Sequence, residues 1–174
     1  MDLKLKGKRA LVTGATRGIG RAIAETFAAE GADLAICSRT PDSVAAAAKD
    51  LEGRGVRVFA KAVDVADGEA LKTFILDAAA ALGGLDILIS NPSGGNGTDE
   101  AAWRANFEVD LLGAVRLGLS LGVLHGPTVE AVTALMILSQ KAHIQKLLDS
   151  TDDEADNKLA VSYTHLTLPT KRIV

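Results

Sequence analysis

The apolar residues in the first half of the chain alternate between two rhythms. Short, nearly unbroken runs read as strands: Ala10-Leu11-Val12, Leu34-Ala35-Ile36-Cys37, Val56 to about Val63, and Leu85-Asp86-Ile87-Leu88-Ile89. Between them, apolar positions recur at helical spacing. Residues 18–30 put Ile19, Ile23 and Phe27 with Ala24 and Ala28 on one face, and the helix stops at Gly31. Thr40-Pro41-Asp42 opens the next helix, with Thr as N-cap, Pro at the first helical position and an acid in the first turn. That helix runs through the alanines to Gly53. Residues 67–82 carry Leu71, Phe74, Ile75, Ala78 and Leu82 at helical spacing and end at Gly83-Gly84. A loop rich in Gly and Ser, PSGGNG, then leads into a long helix from about Asp99 to Leu121.

Strands separated by helices of this length must pair in parallel through right-handed crossovers. The pattern therefore predicts an α/β fold, a doubly wound parallel sheet of Rossmann type. Neither an internal repeat nor a flexible linker interrupts it. After Leu121 the character changes. Residues 128–149 read as one helix, with Val129, Val132, Met136, His143 and Leu147 aligned, and the acidic run DSTDDEADNK reads as a solvated loop or helix end.

Composition narrows the class. The 174 residues amount to one domain or part of a larger one, and 48% hydrophobic residues suffice for a core. With aromatics at only 3%, that core must be built from Ala, Leu, Val and Ile. A net charge of −3 gives no general attraction to nucleic acid or to an anionic membrane. No apolar run approaches the roughly 20 residues needed to span a bilayer, and the N-terminus lacks the pattern of a secretory signal. A single cysteine, Cys37, excludes an internal disulfide and a cysteine-rich zinc site, which makes the reducing cytoplasm the expected compartment. His125, His143 and His165 are scattered, with no metal-ligand spacing.

Chemistry enters where the first strand meets the first helix, in TGATRGIG. Gly14 lets the chain turn out of the strand, and the missing side chains let a pyrophosphate approach the backbone. Free N–H groups and the dipole of the starting helix then favour the anion. The spacing is G-x-x-x-G-x-G, between a predicted strand and a predicted helix. A nucleoside-triphosphate P-loop is excluded, because Arg21-Ala22 follows the last glycine where that motif needs Lys-Ser/Thr.

With these residues in place, the segment 7–121 resembles the N-terminal half of a short-chain dehydrogenase/reductase, in the style of 3-oxoacyl-acyl-carrier-protein reductases. The resemblance rests on Thr13-Gly14-x3-Gly18-Ile19-Gly20, on Asp64-Val65 at the end of the third strand, on Leu85-Asp86-Ile87-Leu88-Ile89, and on Trp103 with Val109-Asp110-Leu111-Leu112-Gly113. It implies a nicotinamide dinucleotide cofactor and a small carbonyl or alcohol substrate, within a homo-oligomeric parent protein. It also implies cofactor contacts at Gly14, Thr16, Arg17, Gly18, Ile19, Gly20, Ser38, Arg39, Asp64, Val65 and Asn91, with Asp64-Val65 at the adenine ring. Where NAD enzymes place an acid after the second strand, this chain has Cys37-Ser38-Arg39-Thr40. Guanidinium groups at Arg39 and Arg17 suit a 2′-phosphate, so NADP is expected over NAD.

The chain departs from the family pattern further on. The family's N-N-A-G is Ser90-Asn91-Pro92-Ser93 here, and only Asn91 carries over, as a ribose and sheet-edge contact. The helix asparagine that holds a relay water in the family is Asp110, whose charge would alter a proton relay. The family's serine followed by Tyr-x-x-x-Lys is missing. The one tyrosine, Tyr163, has Thr167 a helical turn later and Pro169 beyond it, so no catalytic residue is assigned. Residues 161–170, VSYTHLTLPT, fit a translated transposase sequencing adaptor codon for codon, and 161–174 are expected to be an adaptor-derived tail. The expected division is thus a cofactor-binding half-domain over 1–121, an unassigned helical and foreign segment over 122–160, and that tail.

A sheet ending after about four strands would leave the last strand as an apolar edge and leave Trp103, Phe107, Leu111 and Val115 uncovered. Each such side chain forfeits roughly 1.5–3 kcal/mol, against a whole-domain stability of about 5–15 kcal/mol. A marginal, aggregation-prone product is expected. Three readings follow: an inactive cofactor-binding piece of an NADP-dependent oxidoreductase, a non-catalytic dinucleotide-binding module, or a chimeric reading frame without function.

Overall fold

The computed structural model describes residues 3–95 and 97–125, with side chains through residue 120. The expected helix over 128–149, the acidic run, Tyr163, His143, His165 and the tail lie outside the described residues. Chain order is β1 (Arg9–Thr13), α1 (Gly18–Ala29), β2 (Asp33–Ser38), α2 (Pro41–Glu52), β3 (Val58–Ala62), α3 (Gly68–Leu82), β4 (Ile87–Ile89), α4 (Glu100–Asn106), a π-helical stretch (Phe107–Leu112) and α5 (Gly113–His125).

The strands form a four-stranded sheet in the order β3-β2-β1-β4. Every pairing is parallel, with Leu11 opposite Ala35 and Leu88, and Ala35 opposite Phe59. This is the predicted doubly wound arrangement. Successive strand residues face opposite sides, so the near-continuous apolar runs serve both layers. Ala10, Val12, Leu34 and Ile36 pack with Ala24, Ala28, Ala47 and Leu51 of α1 and α2. Leu11, Ala35, Cys37 and Leu88 pack with Leu71, Phe74, Ile75 and Ala78 of α3 and Leu117 of α5. Alanine supplies much of the first layer, and the Phe59 and Phe74 rings stack across the second with centroids 5.9 Å apart.

The helix ends are specific. Asp67 caps α3 by accepting from the Glu69 and Ala70 backbone N–H groups, at 3.1 and 3.0 Å. Asp99 caps α4 by accepting from Ala102 N–H at 2.8 Å. Thr40 stands at the expected N-cap of α2 in extended conformation, its carbonyl accepting from Val44 N–H at 3.1 Å without a side-chain capping bond, and Pro41 with Asp42 follow in the first turn. The helix expected from Asp99 to Leu121 is continuous, but Phe107–Leu112 is wound as a π-helix between α4 and α5. Strands β3 and β4 also begin later than expected, at Val58 and Ile87. Arg57 stands outside β3 because its backbone N–H and guanidinium both bond to Asp33. Asp86, ahead of β4, is occupied with the Arg9 side chain. No helix among the described residues is long and apolar enough to cross a membrane.

Candidate functional site

The C-terminal ends of β1, β2 and β4 converge on the glycine loop. Gly14 and Gly18 adopt left-handed φ values of +64° and +57°, which is what their lack of a side chain allows. Ala15 N–H donates to Cys37 O at 3.3 Å, tying the loop to the end of β2. Thr16 Oγ1 donates to Ser38 Oγ at 3.2 Å, a second tie between the same segments. Arg17 occupies the N-cap of α1 in extended conformation without a side-chain cap, and the first turn carries no acid. The positive end of the helix therefore has no side-chain counterpart of its own. A Cβ on Gly18 would meet nothing within 4 Å, so open space lies in front of the loop. Around that mouth Arg17, Ile19 and Arg39 are exposed, Ile19 at 70%.

Asn91 holds the back of the loop. Its Nδ2 donates to Gly14 O at 3.3 Å, and its backbone N–H donates to Thr13 Oγ1 at 3.2 Å. Thr13 is fully buried and donates in turn to Ile89 O at 3.1 Å, joining β1 and β4. Gly20 lies directly beneath. A Cβ there would sit 2.4 Å from both Asn91 Nδ2 and Gly14 O. The sheet-edge contact expected of Asn91 is thus present as a bond to the glycine loop itself. Thr13 was not among the expected contact residues, although a buried threonine ending a strand must find a partner for its hydroxyl.

Cys37 lies under the loop. Burial pushes its thiol up to about 12, only partly offset by the Gly14 N–H. That excludes it as a thiolate nucleophile near neutral pH. Beyond β3, Val65 is buried while Asp64 is exposed and accepts from Ala66 N–H at 3.0 Å. Asp110, in the π-helical stretch, accepts from Gly94 N–H at 2.9 Å. Gly94 is pressed so closely on α4 that a Cβ would lie 2.6 Å from Asn106 Oδ1 and 2.7 Å from Ala105 O. Asn106 Oδ1 is buried with no partner among the described residues.

Gly14, Gly20 and Asn91 are thus drawn into one bonded or touching cluster, and Thr16 and Ser38 form a separate bonded pair. Asp110 engages the loop after β4 instead. A surface hollow lined by Glu100, Trp103, Arg104, Phe107 and Glu108 shares none of these residues. Among the described residues, no group of His, Cys, Asp and Glu could hold a metal ion.

The family model for short chain dehydrogenases matches residues 8–121. An uncharacterized oxidoreductase of Bacillus subtilis, YvrD, is 36% identical over 122 residues, covering 67% of this chain and 45% of the relative. L-Sorbose reductase from Gluconobacter frateurii, solved with NADPH and L-sorbose, superposes with a TM-score of 0.64 at 40% identity, covering 69% of this chain and 48% of that one. Carveol dehydrogenase from Mycobacterium avium, solved with NAD, gives 0.64 at 30% identity, covering 70% and 50%. The chain spans less than half the length of the first curated relatives it matches.

Proposed function

The chain belongs to the short-chain dehydrogenase family, and on that premise we propose that it is the cofactor-binding part of an NADP-dependent oxidoreductase acting on a small carbonyl or alcohol. The observation that carries the reading is the loop from Gly14 to Gly20, with left-handed glycines, an uncapped helix start and open space beside Gly18. These features fit a dinucleotide. The amides opening α1 would hold the pyrophosphate, Asn91 would reach a ribose, and Asp64 with Val65 would flank the adenine. Arg17 and Arg39 are exposed and suited to a 2′-phosphate, and no acid stands where an NAD enzyme would place one. Ser38, tied to Thr16, would shape the same corner.

When bound, the cofactor supplies or accepts the hydride. The residues of this chain bind and orient it. Nothing in the sequence pairs a tyrosine with a lysine a helical turn later, since Tyr163 is followed by Thr167. This chain is therefore proposed to bind NADP without transferring hydride by itself, within a cytoplasmic, homo-oligomeric whole protein. A non-catalytic dinucleotide-binding module is the second reading, favoured by Asp110 at the family's helix-asparagine position and by its bond to Gly94.

Fluorescence titration with NADPH and NADH on the purified chain tests the proposal. Tighter binding of NADPH is expected, with the preference reversed in Arg39→Asp. No uptake of either at millimolar concentration refutes the function. An unchanged preference in Arg39→Asp refutes the 2′-phosphate assignment alone.

A further inference from the structure

The segment after β3, where the adenine end of the cofactor is placed in the reading above, is held from outside. Arg116 of α5 donates from Nη1 to Ala66 O at 3.0 Å. Its Nη2 lies 3.2 Å from Glu108 Oε2. The side chain also lies against the start of α3, where a Cβ on Gly68 would fall 2.9 Å from Arg116 Nε and 3.3 Å from Cζ. Gly113, at the start of α5, sets its backbone against Val65: a Cβ there would be 3.8 Å from both Val65 Cγ2 and Val65 O. Within the segment, Asp64 Oδ1 accepts from Ala66 N–H, and Asp67 N–H donates to Asp64 O at 3.0 Å. The outward carbonyl of Ala66 is thereby presented to Arg116.

The π-helical stretch explains why Glu108 and Arg116 can meet. They are 116 − 108 = 8 positions apart. In an uninterrupted α-helix, that spacing puts them about 80° apart around the axis. The extra residue taken up by the wide turn brings them to within about 20°, on one face. Glu108 can then hold the guanidinium while its other arm reaches Ala66.

We infer that Arg116 is a positioning residue for the adenine half of the cofactor: aimed by Glu108 and seated against Gly68, it fixes the Ala66 carbonyl and with it the Asp64–Val65 edge. The inference rests on the dinucleotide reading and assigns Arg116 no contact with the ligand.

The test uses the full chain and two probes, 2′,5′-ADP for the adenine half and inorganic pyrophosphate for the glycine loop. Arg116→Met keeps an unbranched stem and removes the donors. It should weaken 2′,5′-ADP about tenfold, leave pyrophosphate unchanged, and speed amide hydrogen exchange across residues 65–68. Arg116→Lys, which can still donate to Ala66 O, should recover part of the loss. Gly68→Ala, which removes a helical glycine yet displaces the guanidinium, should weaken 2′,5′-ADP in the same way. Equal weakening of both probes, or 2′,5′-ADP binding by Arg116→Met at wild-type strength, overturns the inference. Wild-type protein that takes up neither probe overturns the dinucleotide reading, and unchanged exchange in Arg116→Met overturns the hold of Arg116 on the Ala66 carbonyl.

Discussion

Replacing Gly20 by alanine sets two physical effects against each other with opposite signs. Gly20 is the third residue of α1, and its φ is not left-handed. On helix propensity alone the change should stabilise the protein, by up to about 1 kcal/mol. Sterics predict the reverse. The new Cβ would lie 2.4 Å from Asn91 Nδ2 and from Gly14 O, where ordinary contact starts at 3.4 Å, so the neighbours must yield by 3.4 − 2.4 = 1.0 Å. Gly14 O belongs to the backbone of the loop and cannot rotate aside. Forcing extra volume into a packed site costs about 1–3 kcal/mol. Losing the Asn91–Gly14 bond adds about 0.5–1.5 kcal/mol. After the propensity gain of about 1 kcal/mol is subtracted, a net destabilisation of about 0.5–3.5 kcal/mol is expected. Urea unfolding should show a lower Cm with unchanged m, and NADPH titration should show lost binding because Gly14 has moved. Asn91→Ala in the same chain removes one of the two clashes, so the double variant should cost less than the sum of the singles. A rise in Cm on Gly20→Ala would refute the steric account, and strict additivity would remove Asn91 from it.

The Arg9–Asp86 pair makes stability depend on acid. Hydrogen bonds from the Arg9 side chain lower the Asp86 carboxyl from 3.8 to about 2, against a smaller opposing effect of burial. Its contribution is therefore complete above pH 4 and is lost as pH falls toward 2, so the Cm gap between wild type and Asp86→Asn should close over that window. Cys37, buried and with its thiol pushed up to about 12, should resist a disulfide reagent at pH 8 in native protein and react once urea unfolds it; fast native labelling would contradict the packing under the glycine loop. Trp103, the sole tryptophan and 66% exposed, should emit at long wavelength and be readily quenched by acrylamide, and a blue shift on raising protein concentration would show self-association covering it.

Much of the fold was legible because its signals are local. Strands β1 to β4 follow from apolar runs, α3 from its periodicity, and the left-handed turns at Gly14, Gly31 and Gly83 from glycines at the right places. The positions Gly14, Thr16, Ser38 and Asn91 stand out through the glycine spacing and a family resemblance, but the bonds of Thr16 to Ser38 and of Asn91 to Gly14 do not. What escaped depends on distant partners. The π winding of Phe107–Leu112 leaves no mark in hydrophobic spacing, because Trp103, Phe107, Leu111 and Val115 satisfy an α-helical pattern equally well. Thr40 does occupy the N-cap, but the lack of a side-chain bond there could not be read from its residue type. The contacts of Arg116 with Ala66 and of Asp110 with Gly94 join positions far apart in sequence, for which a single chain offers no spacing rule. The expected uncovering of the long helix holds for Trp103 and Phe107, which are exposed, while Leu111 and Val115 are half-buried.

A parallel sheet gathers the loops after its strands along one edge, which is where ligands bind in open α/β folds. In this chain those loops come from successive βα units: Gly14–Gly20 after β1, Ser38–Arg39 after β2, Asp64–Val65 after β3 and Asn91 after β4. The sheet beneath them is closely packed, with Leu11, Val12, Leu34 and Ile36 all fully buried. The helix that follows β4 then touches two of the loops, through Asp110 at Gly94 and through Arg116 at Ala66. Everything proposed to hold a dinucleotide is thus contiguous in sequence and braced by the residues directly after it. Proton transfer in the family needs a tyrosine and a lysine on one helical face, and no such pair occurs within that contiguous stretch. On the proposed reading this chain supplies binding rather than proton transfer, and Arg116→Met should impair cofactor binding while leaving the glycine loop's own hydrogen bonds intact.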